Sequence, residues 1–141
     1  MKLYNHEIEA FIHFLMTEEL IGKQSRMRTR FCKLLGERAK EVEDERQDLI
    51  KQYSTKDEND KPKVETNEDG SIIYPLTDAQ AFYKELSILL DEEFIIDETL
   101  ERKDMLETVR DIVLDSKQTF SGQAAYLHSR FCDLVEEVKY E

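Results

Sequence analysis

The residues of this chain that could do chemistry are three histidines, two cysteines and a dense population of carboxylates. His6-Glu7 has the opening of a zinc-protease helix, in which a second His at i+4 lets two imidazoles face one metal. Position 10 is Ala10, and His13 lies two helical turns beyond His6, so the pair does not make that site. His128 could join them only through tertiary contact. Asp57-Glu58-Asn59-Asp60-Lys61 has the density of a calcium loop, which needs oxygen ligands at its first, third and fifth positions and Gly at its sixth. Counted from Asp57, the fifth is Lys61 and the sixth Pro62. The scattered Gly22, Gly36, Gly70 and Gly122 build no phosphate loop, and Ser121-Gly122 lacks the Gly-x-Ser-x-Gly frame of a nucleophile elbow. Cys32 and Cys132 have neither metal-ligand spacing nor the numbers of a disulfide framework, and read as small buried side chains. The expectation is a non-enzyme without catalytic residues, metal or cofactor.

Charge is the stronger signal. The net charge is −12, unevenly distributed along 141 residues. Lys23 to Lys40 holds seven bases and one acid, whereas Asp91 to Asp115 holds ten acids and three bases. Arg26, Arg30 and Lys33 fall on one helix face by their i, i+4 and i+7 spacing, a stripe that would grip phosphates or an acidic partner, lie in solvent, or complement the acids inside the molecule. Asp91, Glu92, Glu93, Asp97, Glu101, Asp104, Glu107 and Asp111 form the candidate partner-binding acidic face. Acid excess argues against direct nucleic-acid binding, which relies on neutralising phosphates, and favours a partner with a basic surface. Carboxylates spaced along a helix would also mimic a phosphate surface, with affinity falling as salt rises.

These charges need elements to hold them. A first helix is expected from Asn5, as N-cap, to near Gly22, with Ile8, Phe11, Ile12 and Leu15 on one buried face. A second runs from Ser25 to about Tyr53 on the stripe Met27, Phe31, Leu34, Leu35, Val42, Leu49 and Tyr53. Gly36 within it marks close packing or a kink. Unbroken, this helix is longer than a small domain needs and would project as an arm or supply a seam in an oligomer. Arg38 and Glu45 at would-be core positions argue against a sustained coiled coil.

Ser54 to Gly70 is a polar loop or hairpin arm, with Asn67-Glu68-Asp69-Gly70 as the turn into a strand Ser71–Tyr74. Thr77 and Gln80 make a capping box for a helix burying Phe82, Leu86, Leu89 and Leu90. Phe94-Ile95-Ile96 reads as a strand, expected to pair with Ile72–Tyr74. A helix over Glu98–Asp115 carries Leu106, Val109 and Val113, and a last one, capped by Ser121, carries Leu127, Phe131, Leu134, Val135 and Val138. Arg30-Phe31-Cys32-Lys33-Leu34-Leu35 recurs as Arg130-Phe131-Cys132-Asp133-Leu134-Val135, through duplication or through two helices solving one packing problem. The expected fold is a mainly helical α+β single domain over 1–141, with about five helices and a small two-stranded antiparallel sheet. No apolar run approaches the ~20 residues that span a bilayer, and Met1–Glu7 lacks the pattern of a signal peptide.

Roughly residues 1–97 resemble an uncharacterised family of small proteins encoded by tailed phages and prophages of Gram-positive bacteria. The resemblance is carried by Met1-Lys2-Leu3 with Asn5, Glu37-Arg38-Ala39-Lys40-Glu41-Val42-Glu43, and Leu49-Ile50-Lys51-Gln52-Tyr53. It continues through Lys56-Asp57-Glu58, Asp69-Gly70, Ala81-Phe82-Tyr83-Lys84-Glu85-Leu86, and Leu90-Asp91-Glu92-Glu93-Phe94-Ile95-Ile96-Asp97. The helices expected from Glu98 onward lie beyond it. The resemblance implies a phage context in the bacterial cytoplasm or the virion, and no catalytic residues. Together these readings predict a protein-protein interaction factor, an assembly or accessory protein able to form homo-oligomers. The alternative is an acidic inhibitor of a host nucleic-acid-handling or defence protein.

Overall fold

A computed structural model describes residues 1–141. In chain order the elements are β1 (Lys2–Tyr4), a 3-10 turn (Asn5–Glu7), α1 (Ile8–Thr17), α2 (Gly22–Tyr53), β2 (Glu65–Thr66), β3 (Ile72–Ile73), α3 (Ala79–Leu90), β4 (Glu93–Ile95), α4 (Lys103–Leu114) and α5 (Gln123–Glu136). The protein is thus mainly helical α+β, with five helices and two small antiparallel sheets. Its contacts divide it into two compact units, Met1–Ala39 with Glu93–Glu141, and Lys40–Glu92. No helix is long and apolar enough to cross a membrane.

In the first unit the chain start is a strand. β1 pairs antiparallel with β4, placing Leu3 opposite Phe94, and the Ile96 N–H donates to the Met1 carbonyl at 2.8 Å. This corrects the expected pairing of Phe94–Ile96 with Ile72–Tyr74. Leu3 and Ile96 are buried here, whereas Ile72 and Ile73 are exposed and pair with Thr66 and Glu65. The core gathers Leu3, Ile8, Phe11 and Leu15 with Phe31, Leu35, Leu106, Val109, Phe131 and Leu134. The repeated Arg-Phe-Cys segments meet at one ring, since Phe31 and Phe131 both pack on Phe11. Gly22 and Gly122, at the same offset before each segment, both take a left-handed φ, +60° and +57°, where α2 and α5 begin.

Gly22 therefore opens the second helix rather than closing the first. α1 stops at Thr17 because its last carbonyls find other donors: the Thr17 hydroxyl donates to the Phe14 carbonyl at 2.6 Å, and the Arg28 guanidinium donates to the carbonyls of Leu15 and Glu18. Asn5 is buried in the 3-10 turn, where its side-chain oxygen accepts from Arg38 at 3.1 Å; it is not an N-cap. α2 is continuous past Gly36, and nothing lies within 4 Å of where a Cβ would stand there. Gly36 marks no close approach. The helix expected from Glu98 begins only at Lys103: residues 100–102 form a turn ahead of α4, with the Arg102 N–H donating to the Thr99 carbonyl at 3.1 Å. α5 starts at Gln123 with Gly122 as its N-cap residue, so Ser121 does not cap it.

In the second unit the polar tract folds by its own side chains. Asp57 Oδ1 accepts from the Asn59 and Lys61 N–H groups at 2.8 and 3.0 Å, an Asx turn in place of a calcium loop. Gly70, at φ +86°, completes the β2–β3 turn, where the Asn67 N–H donates to the Ser71 carbonyl at 2.8 Å. Thr77 does not cap α3. Its N–H and hydroxyl both donate to the Tyr53 carbonyl, at 2.7 and 3.0 Å, so Asp78 caps instead, accepting from the Ala81 N–H at 3.0 Å. Val42, Ile50, Phe82 and Leu89 are buried here, and the Tyr53 ring meets Phe82 at 6.4 Å.

Candidate functional site

The groups able to do covalent chemistry are placed for packing. His6 stacks on Tyr4, with centroids 5.5 Å apart. His13 and His128 border one largely apolar cavity of about 270 Å³, with Phe14, Phe120 and Leu127. The His128 ring lies flat on Phe120 at 4.2 Å, and its Nε2 is 3.0 Å from the Val113 carbonyl, an acceptor, so Nε2 carries the proton. One helical turn on, the Cys132 Sγ sits 3.6 Å from that Nε2 and 4.0 Å from Nδ1. The i, i+4 spacing was the sequence signal for this pair. Burial first, then the Glu136 and Asp133 charges, push the Cys132 thiol up, opposite to the shift that activates a nucleophile. No three His, Cys, Asp or Glu side chains converge to hold a metal ion.

The predicted acidic residues fall in both units. Asp91, just past α3, and Glu92 are exposed in the second. In the first, Glu93 lies on β4 beside Arg130 and Glu137, and Asp97 and Glu101 are exposed ahead of α4. Asp104, Glu107 and Asp111 follow i, i+3, i+7 on α4, whose other side buries Leu106, Val109, Ile112 and Val113. Asp104 pairs with Lys23 at 3.3 Å, a direct link between the acidic and basic segments, and Asp111 lies 3.6 Å from Arg110. Glu107 is half-buried.

Of the basic stripe, Arg26, Arg30 and Lys33 are all exposed, Arg30 leaning on the Met27 sulfur at 3.9 Å. The arginines with structural work were not in the stripe. Arg28 closes α1, and Arg38 sits over the Phe94 ring at 5.9 Å. Arg130 forks onto Glu7 at 2.6 and 3.1 Å. Burial pushes the Glu7 carboxyl up, but the Arg130 hydrogen bonds, the Tyr4 N–H and the charges of Arg130 and His6 outweigh it and hold Glu7 below its usual value.

The second unit carries an open groove of about 300 Å³ between α2 and α3. One wall is Glu45, Asp48, Leu49 and Gln52; the other is Glu85, Ile88, Leu89 and Glu92. Both walls follow i, i+3, i+4, i+7, so each helix turns one face to the groove. Leu49 and Leu89 belong to the apolar stripes expected to be buried, whereas Ile88, outside them, is 51% exposed. Arg46, between Glu45 and Asp48 in sequence, is committed to Glu43 through two bonds of 2.8 Å, which hold the Glu43 carboxyl down at about 2.

Compared with known proteins, the chain matches no family model, and no curated protein or solved structure is similar enough to count as a match.

Proposed function

We propose that this protein is a non-enzymatic protein-protein interaction factor, phage-encoded, serving in assembly or as an accessory protein in the bacterial host cytoplasm or the virion. Its partner is a protein with a basic surface. The observation that carries the reading is the outward display of the acidic run: Glu93, Asp97, Glu101, Asp104 and Asp111 are all exposed on the first unit. Carboxylates so placed contribute little to folding, and they steer and select a cationic partner. The phage context rests on the family resemblance of residues 1–97.

A second reading, inhibition of a host nucleic-acid-handling or defence protein by mimicry of phosphates, draws on Asp104, Glu107 and Asp111 along one helix edge. The two readings separate in one experiment. The protein is used for affinity capture from bacterial lysate, with and without phage infection, and eluted by a salt step. A variant with Glu93→Lys, Asp97→Lys and Glu101→Lys runs in parallel. An assembly factor retains a phage structural protein that the variant loses; a decoy releases a host DNA-handling protein at the salt step. Partners held equally by this variant, with its helical circular dichroism intact, sink the first reading; partners held equally by a folded Asp104→Lys, Glu107→Lys, Asp111→Lys variant sink the second.

A further inference from the structure

We propose that the groove between α2 and α3 of the second unit docks an amphipathic helix of a partner protein. Apolar anchors of that helix would rest on Leu49, Ile88 and Leu89, with Lys or Arg side chains reaching the carboxylates at the rim. The proposal rests on the interaction-factor reading and names the partner's chemistry at a site apart from the first unit's acids.

The floor is the first argument. Ile88 is 51% exposed beside a half-buried Leu49, so apolar surface stands in water at the centre of the groove. A cavity of about 300 Å³ is at the small end of the range for small-molecule sites. Its open trough between two helices suits a few side chains from a third helix, the helix-in-groove mode read by i, i+3, i+4, i+7 anchors.

The rim is the second argument. Glu45 and Asp48 on one wall and Glu85 on the other put carboxylates on both sides. Arg46, next to Glu45 in sequence, is committed to Glu43. The C-terminal turn of α3, at Leu89, borders the groove and adds the negative end of a helix dipole. A cationic helix with an apolar stripe complements floor and rim together.

A second copy of this chain offers a poorer occupant. Its basic stripe Arg26, Arg30 and Lys33 brings charge, but the apolar residues beside it, Met27 and Phe31, are 6% and 0% exposed and cannot reach the floor. Nucleic acid brings phosphates to carboxylates and is repelled.

The probe is a fluorescently labelled Leu/Lys amphipathic helical peptide, titrated into the full chain by anisotropy at low and high salt. Ile88→Gln, an exposed change, should weaken binding about tenfold or more, as loss of a central apolar anchor does. The triple variant Glu45→Gln, Asp48→Gln, Glu85→Gln should weaken binding and flatten its salt dependence. Glu9→Gln with Glu19→Gln, exposed acids of the first unit outside its partner-binding face, should leave it unchanged. Thermal melts check that each variant folds. Equal binding to Ile88→Gln, equal binding of a peptide with Gln in place of Leu, or no saturable binding overturns the proposal. So does self-association abolished by Ile88→Gln, which would make the occupant a second copy. If the peptide fails while capture still depends on Glu93, Asp97 and Glu101, the groove falls and the interaction reading stands. Capture that ignores those acids and is also unchanged by Ile88→Gln sinks the reading itself.

Discussion

The Phe11 ring lies flat on Phe131, with centroids 4.6 Å apart and 14° between the planes, while Phe31 meets it edge-on at 5.6 Å and 74°. One ring on α1 thus joins the two Arg-Phe-Cys segments. Phe11→Ala removes a fully buried aromatic and should cost about 3–5 kcal/mol, a large part of the ~5–15 kcal/mol that holds a typical domain. Urea unfolding followed by circular dichroism measures it; a loss below about 1 kcal/mol would mean that the site is not a core.

The Glu7–Arg130 fork joins residues 123 apart in sequence. With its folded pKa lowered, Glu7 contributes stability that is fully present above the unfolded carboxylate value of about 4.3, and lost as pH falls through the lower folded value. Arg130 is 39% exposed, so water screens part of the gain. Glu7→Gln should therefore cost about 1–2 kcal/mol at neutral pH. The gap from wild type should close in acid, where both side chains are neutral. Urea midpoints measured across that pH range test this, and a gap that persisted at low pH would locate the loss elsewhere.

Gly36→Ala should stabilise the protein. The position is inside a continuous helix and a Cβ there meets nothing within 4 Å. Removing glycine's extra unfolded-state freedom should gain about 0.5–1 kcal/mol, visible as a raised melting temperature. A lowered one would reveal a neighbour that needs the space.

Both thiols should be slow toward Ellman's reagent at neutral pH. Burial pushes Cys32 up, partly offset by Arg28; burial, Glu136 and Asp133 push Cys132 up. Rates should climb only as pH rises beyond the ordinary thiol value of about 8.5, and unfolding in urea should speed both. Fast labelling of native protein at pH 7 would reopen the question of a reactive cysteine.

The helices were legible in the sequence because each buries one periodic face. The spacing of Ile8, Phe11 and Leu15, of Leu106, Val109 and Val113, and of Phe131, Leu134 and Val135 says so without a partner in view. The β2–β3 turn was legible too, since Asn67 and Gly70 supply the local chemistry it needs. Caps were less so. Thr77 and Asp78 are both good N-caps, and the choice fell to Asp78 because the Tyr53 carbonyl, 24 residues away, claims the Thr77 hydroxyl. The charged candidates could be named but not sorted: nothing local distinguishes Arg28, which closes α1, from the exposed Arg26 and Arg30.

By itself, then, the chain's amino-acid order determined a mainly helical α+β protein with segregated charge, because periodicity, turn chemistry and net charge are local properties. Tertiary structure alone decided which strand Phe94 joins, which arginine meets Glu7, and that the apolar stripe containing Leu49 remains open beside Ile88. The reason is physical. A two-residue period says that a strand needs a partner without saying which, and a helical period says that a face is apolar without saying whether anything covers it.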